Sequence, residues 1–278
     1  MKYLTWEIKA PERSGTQNAE KETASVTAYL LDWSVEERKK VRPAVVVCPG
    51  GGYRFVSPRE GEPVAMQYLS MGYHVFVLRY SVAPARFPTA LWQLALLMSQ
   101  IREHSEEWAV DPEKIVVSGF SAGGHLACSL GVFWNREFVY GPLGCDAKAI
   151  RPDGMILCYP VITSGPYCHA SSFEKLLGDE AGDEEKRSLV SLENQVGPHT
   201  PRTFLWHTAP DNTVPVENSL FLAQALSKHK VGLELHIYPS GGHGLSLATE
   251  DTSAGEERRI DPRCQSWIEL AGEWLEDL

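Results

Sequence analysis

The six residues Gly119-Phe120-Ser121-Ala122-Gly123-Gly124 constrain this chain more than any others. They follow the apolar run Ile115-Val116-Val117 and precede Leu126-Ala127-Cys128-Ser129-Leu130, which can form a helix. A G-x-S-x-G pattern between a strand and a helix reads as a nucleophile elbow, a strained turn that projects its serine Oγ above the sheet. Strand and helix approach closely there, so the positions two before and two after the serine must be small; Gly119 and Gly123 meet that demand. Ser121 also stands at a helix N-terminus, where free N–H groups and the dipole favour a developing negative charge. The bland alternative is a glycine-rich turn with an ordinary serine, and the choice rests on what else the chain supplies.

It supplies an alternation of strand and helix signals. Pro43-Ala44-Val45-Val46-Val47-Cys48 is a short, wholly apolar run of the kind found in strands buried on both faces of a parallel sheet. Residues 63–71 read as a helix and 74–80 as a strand. Residues 89–106 read as a helix, with Leu91, Leu94, Leu97, Met98 and Ile101 at helical spacing. Asp111-Pro112 reads as a loop before the elbow strand. Strands are then expected at 154–159, 203–207 and 233–238, helices around 216–228 and 264–275, and an earlier strand at 26–31. The chain starts with polar, alternating sequence, and the charge run 36–40 reads as a solvated turn. This rhythm predicts an α/β fold with a mostly parallel central sheet and helices on both faces, as one domain over residues 1–278. Residues 164–200 break the rhythm and are either a small lid of short helices or a surface excursion. Residues 244–262 read as an acidic loop.

Composition narrows the partners. The net charge of −10 argues against nucleic acid, an anionic membrane surface or a polyanionic substrate. No apolar run is long enough to span a bilayer. The six cysteines form no C-x-x-C pair and no zinc spacing, so neither metal nor cofactor is expected. Without a signal-peptide pattern at Met1-Lys2-Tyr3-Leu4-Thr5-Trp6-Glu7, the reading is a cytoplasmic chain with free thiols. Oligomeric state is open, a homodimer included.

A serine hydroxyl needs a histidine base, and that histidine needs a carboxylate to fix its tautomer. His243 lies in Ser240-Gly241-Gly242-His243-Gly244, directly after an expected strand. Asp211 lies in Ala209-Pro210-Asp211-Asn212-Thr213, also after a strand end, with Glu217 as the alternative acid. His125, in the elbow helix, reads as structural. Cys48-Pro49-Gly50-Gly51-Gly52-Tyr53, at a third strand end, can bring backbone N–H groups to a tetrahedral oxyanion, and Ala122 adds another. Tyr53 and Phe120 flank these groups, and His169 and Trp206 are candidates to line a pocket, each with core packing as its equal alternative.

In this order the pieces make the chain resemble an α/β-hydrolase of the esterase/lipase superfamily. Pro49-Gly50-Gly51-Gly52-Tyr53 is similar to that family's HGGG loop followed by an aromatic residue, with Pro49 where the lipase pattern has a loop-supporting histidine. The segments 211–219 and 241–244 resemble its acid and base loops. The resemblance runs from about Arg42 to the C-terminus and is closest to cap-poor acetyl esterases, including acetyl-xylan-esterase-like and feruloyl-esterase-like enzymes. It implies Ser121 as nucleophile, Asp211 as acid and His243 as base, with Gly51, Gly52 and Ala122 supplying the oxyanion N–H groups. The implied activity is a serine carboxylesterase on short-chain, acetyl esters of small carbohydrates. A peptidase or amidase using the same triad, or a non-catalytic binding protein on the same fold, are the rivals.

Overall fold

A computed structural model describes residues 1–11, 22–32 and 41–278. Its eight strands are β1 (Lys2–Lys9), β2 (Thr23–Leu30), β3 (Arg42–Cys48), β4 (His74–Arg79), β5 (Val110–Phe120), β6 (Gly154–Cys158), β7 (Thr203–Thr208) and β8 (Leu233–Tyr238). They form one sheet in the order β1-β2-β4-β3-β5-β6-β7-β8. The pairs β1/β2 and β2/β4 are antiparallel and all others parallel. The expected charge run at 36–40 lies outside the described residues.

The valine run of β3 shows why this sheet is central. Ala44 and Val46 point into one apolar layer, and Val45 and Val47 into the other. All four are fully buried, which a strand covered on only one face would not allow. The first layer is closed by the helices Thr89–Glu103, Ala122–Phe133 and Glu217–Lys228, through Leu94, Leu126 and Leu222. The second is closed by Glu62–Ser70 and Trp267–Glu276, through Tyr68 and Trp267.

Three details differ from the expectation. The alternating residues 2–9 form β1, an antiparallel edge strand whose Trp6 and Ile8 face the core. The helix expected to run to 106 stops at Glu103, and a separate turn, Ser105–Trp108, follows before Ala109 enters the left-handed region at φ 55°. Asp111-Pro112 lies within β5, yet in a break of its ladder: Arg42 pairs with Val110 but Ala44 with Ile115. The Asp111 carboxylate accepts from the Glu113 N–H at 3.0 Å and stabilises that excursion. Residues 164–200 contain the helix Ala170–Leu177, whose Phe173, Leu176 and Leu177 belong to the main core, and the helix Glu184–Leu189, which buries no residue. Among the described residues no helix is long and apolar enough to cross a membrane.

The chain runs from β3 outward to β4 and then back across β3 to β5, so the strand order reverses between β3 and β5. Loops leaving the carboxyl ends of strands on either side of such a reversal diverge and open a crevice. The loops after β3, β5, β7 and β8 meet at that edge.

Candidate active site

Ser121 stands directly after β5, with φ 51° and ψ −117°, outside the regions that residues with a Cβ ordinarily adopt. Its N–H donates to Cys158 O at 3.0 Å, and its own C=O accepts from His125 and Val161. These bonds hold the strained residue in place. The surrounding glycines are steric necessities: a Cβ on Gly119 would lie 2.3 Å from Gly123 O, and one on Gly123 would lie 2.0 Å from Cys48 O. The elbow helix therefore crosses β3 and β5 at backbone contact, which aims its N-terminus at the crevice.

Ser121 Oγ lies 2.7 Å from His243 Nε2, and His243 Nδ1 lies 2.7 Å from Asp211 Oδ2. Asp211 is buried, at 5% exposure, and both of its carboxylate oxygens are bonded. Oδ1 takes the N–H groups of Thr213 and Val214 at 2.9 and 3.0 Å, while Oδ2 is also 3.3 Å from His207 Nε2. Burial alone would raise the pKa of Asp211. The hydrogen bonds from His207 and His243 and the His243 charge outweigh it and hold the carboxyl well below the usual carboxylate range. A fixed carboxylate at Nδ1 makes Nδ1 the protonated nitrogen and leaves Nε2 as the acceptor for the serine hydroxyl. Glu217, the alternative acid, begins the next helix and makes none of these bonds.

The loop after β3 is equally constrained. Gly51 at φ 134° and Gly52 at φ 63° take conformations open to glycine, and a Cβ on Gly51 would sit 2.0 Å from Phe55 O. Among the described residues the N–H groups of Gly51, Gly52 and Ala122 have no backbone acceptor. With Pro49 in place of a histidine, other groups support the loop. Tyr80 OH donates to Pro49 O at 2.7 Å, Ser57 N–H donates to Gly50 O at 2.9 Å, and Gly50 N–H donates to Glu60 Oε2 at 2.7 Å. Tyr53 OH is 2.9 Å from His125 Nδ1. His125 Nε2 is bonded to Val190 O and must therefore donate, so Nδ1 accepts from the tyrosine. Burial pushes the His125 pKa down to about 4, which keeps that arrangement neutral.

Glu60 was not among the residues expected from the sequence. It is 2% exposed and bridges two loops: its Oε2 takes Gly50 N–H, and its Oε1 takes Tyr159 OH at 2.7 Å. The Tyr159 oxygen in turn accepts from Ser246 N–H at 2.8 Å, three residues beyond His243, and its ring stands edge-on to the His243 ring at 5.2 Å. One buried carboxylate thus ties the glycine loop to the histidine loop. Nothing local distinguishes Glu60 from Glu62, two residues later at the start of a helix; only the tertiary partners do.

A cleft of about 640 Å³ opens over Ser121 and His243 and includes Gly51, Gly52, Glu60 and His169 in its walls. His169 sits there with Nδ1 2.8 Å from Ser172 Oγ; burial, and then the His243 charge, lower its pKa. The other pocket candidates are placed elsewhere. Phe120 is fully buried against Tyr159 and Trp267, and Trp206 is fully buried against Tyr159, Trp267 and Tyr238. Tyr53 is buried and braces the glycine loop through His125. Phe120 and Trp206 belong to the apolar layer of Trp267, and Tyr53 to the opposite layer. Among the described residues no group of three or more His, Cys, Asp or Glu side chains could hold a metal ion.

Residues 31–226 match the family profile BD-FAE. The chain is 38% identical over 232 residues to endo-1,4-beta-xylanase B of Butyrivibrio fibrisolvens, covering 82% of this chain and 35% of that protein. It is 29% identical over 211 residues to an acetylxylan esterase of Xylanibacter ruminicola, covering 74% of this chain and 42% of that protein. It therefore spans well under half the length of these two curated relatives. Two solved structures match nearly end to end. One is an acetyl ester-xyloside bifunctional hydrolase from Caldicellulosiruptor lactoaceticus, with TM-score 0.78, 38% identity, and 91% and 88% of the two chains covered. The other is a carboxylesterase from Lactobacillus plantarum WCFS1, with TM-score 0.85, 30% identity, and 100% and 98% covered. The eight-stranded, mostly parallel sheet with helices on both faces is thus an α/β-hydrolase fold, and the chain belongs to the BD-FAE family of α/β-hydrolase esterases.

Proposed function

We propose that this chain is a serine carboxylesterase that removes short acyl groups, acetyl foremost, from small carbohydrates. The observation that carries the reading is the unbroken hydrogen-bonded line from Ser121 Oγ through His243 to Asp211, beside three N–H groups that have no backbone acceptor among the described residues. The carbohydrate preference is supported by the relatives named acetylxylan esterase and acetyl ester-xyloside bifunctional hydrolase.

In this mechanism His243 Nε2 takes the hydroxyl proton as Ser121 Oγ attacks the ester carbonyl. The oxyanion forms against the N–H groups of Gly51, Gly52 and Ala122. Asp211 keeps the proton on Nδ1 and stabilises the imidazolium. His243 then gives its proton to the departing alcohol, leaving the acyl group on Oγ. Water, deprotonated by the same histidine, attacks that ester; the carboxylic acid leaves and Ser121 regains its proton.

The test is a panel of acetylated xylo-oligosaccharides, p-nitrophenyl esters of increasing acyl length, and peptide amides, with a fluorophosphonate probe followed by peptide mapping. Acetyl esters are expected to be cleaved fastest, amides at least ~10²-fold more slowly, and the probe to attach at Ser121. Faster amide cleavage would make the chain a peptidase; absence of both labelling and turnover would make it a binding protein.

Glu60 has its own expected result. Glu60→Ala leaves Gly50 N–H and Tyr159 OH without their acceptor, at about 1–3 kcal/mol each, while Glu60→Gln keeps an acceptor for Gly50 N–H. Denaturant unfolding should rank the variants wild type, Gln, Ala, and kcat should fall in the same order with KM for p-nitrophenyl acetate little changed. An Ala variant as stable and active as wild type would show that the bridge is dispensable.

A further inference from the structure

The chain carries a net charge of −10, but the wall of this cleft is cationic. Arg54, Arg59 and Arg259 all line it, against a single lining carboxylate, Glu60, whose two oxygens are already bonded inside the protein. Arg59 is the most telling of the three. Its Nη1 donates to Gly244 O at 3.0 Å and Thr252 O at 2.8 Å. Two neutral carbonyls fix the guanidinium without cancelling its charge, and among the described residues Arg59 has no carboxylate within ion-pairing distance. Arg259 donates to Ser253 O at 3.1 Å and, unlike Arg59, is ion-paired, with Glu256 Oε1 at 2.6 Å, a carboxylate that Arg258 shares. Burial, and then the Arg59 charge, lower its pKa, as expected of two guanidiniums set near one another. Arg54 is exposed and stacks over the Phe55 ring at 5.6 Å, with no ion pair among the described residues.

Holding like charges together beside an open cleft is unfavourable unless something anionic comes to them. A guanidinium fork held by carbonyls still has N–H groups suited to a carboxylate. The position of Arg59 also says which end of an ester would bring it. Arg59 is tied to Gly244, the residue after His243, and His243 is the group that hands its proton to the leaving alcohol. We propose that the cleft contains an anion subsite, built on Arg59 with Arg54 and Arg259, that receives a carboxylate carried by the alcohol half of the ester, as on an acetylated oligosaccharide bearing a uronic acid.

The proposal rests on the serine-esterase reading, and the test separates the two. In the first arm, wild type is assayed at 50 and 500 mM NaCl on acetylated xylotriose with and without a glucuronic acid branch, and on p-nitrophenyl hemisuccinate beside p-nitrophenyl acetate. The branched substrate is expected to show kcat/KM ~10-fold above the unbranched at low salt, the ratio shrinking at high salt. Within Arg54→Gln, Arg259→Gln and Arg59→Lys the same ratio is expected to fall towards one; taking it inside each variant removes any general loss of activity or fold. Equal kcat/KM at both salt concentrations overturns the subsite and leaves the esterase standing. A preference for hemisuccinate alone places the anion on the acyl side and overturns it too. In the second arm, calorimetry measures binding of unacetylated xylotriose and its glucuronic-acid-branched form. Tighter binding of the branched sugar upholds the subsite even if no ester is turned over; equal binding of the two overturns it.

Discussion

Asp211→Asn is expected to lower kcat for p-nitrophenyl acetate by ~10⁴-fold while the protein stays folded. The reason lies in the four donors around this side chain. Oδ1 faces the N–H groups of Thr213 and Val214, which only an acceptor can satisfy, so the asparagine oxygen must take that side. The amide NH₂ is then forced towards His243 Nδ1 and His207 Nε2. Nδ1 becomes an acceptor, the imidazole proton moves to Nε2, and Nε2 points that proton at Ser121 Oγ instead of receiving one. Steady-state kinetics at pH 7 with circular dichroism checks both halves; an activity within tenfold of wild type would remove Asp211 from the mechanism. The same substitution has a pH signature. The folded-state pKa of Asp211 lies below the unfolded value of about 3.9, so the carboxylate adds stability that is fully present above that value and lost as pH falls through the folded one. Wild type should accordingly lose more stability than the variant on acidification below about pH 4.

The parts of this fold legible in the sequence are those where one local property decides the outcome. Val45, Val46 and Val47 announce a doubly covered strand because no other environment buries both faces of such a run. Ser121, Asp211 and His243 are legible because each combines a reactive side chain with the end of a strand, and the structure draws the three into one line of hydrogen bonds. β1 was missed because an antiparallel edge strand needs only one apolar face, and Lys2, Glu7 and Lys9 mask it. Phe120 and Trp206, for which pocket lining and core packing are both open in the sequence, take the packing alternative. Alternation along β5 and β7 sends both side chains into the layer of Trp267, where they are fully buried. Glu60 was invisible because its partners, Gly50 and Tyr159, lie 10 and 99 residues away. A buried carboxylate declares itself only when the groups that satisfy it are assembled.

Those hidden supports explain how the chain tolerates strain at Ser121, and that residue is where the consequence can be measured. Ser121→Ala should lower kcat by at least ~10³-fold, because among the described residues no other hydroxyl stands on His243 Nε2. Its stability should hardly change, since alanine keeps the Cβ that makes φ 51°, ψ −117° costly. Ser121→Gly should lose as much activity yet unfold at a higher temperature than the alanine variant. Glycine escapes about 1–3 kcal/mol of backbone strain but gives back roughly 0.5–1 kcal/mol through its more mobile unfolded chain. The remaining advantage of ~1 kcal/mol corresponds to roughly 2–4 °C for a protein near this size. Calorimetric melts of the two inactive variants isolate that difference, because both lack the same hydroxyl. Equal melting points would mean that the elbow stores no strain at this residue. Rates close to wild type in either variant would mean that the nucleophile is another group, and the line from Ser121 to Asp211 would lose its chemical meaning.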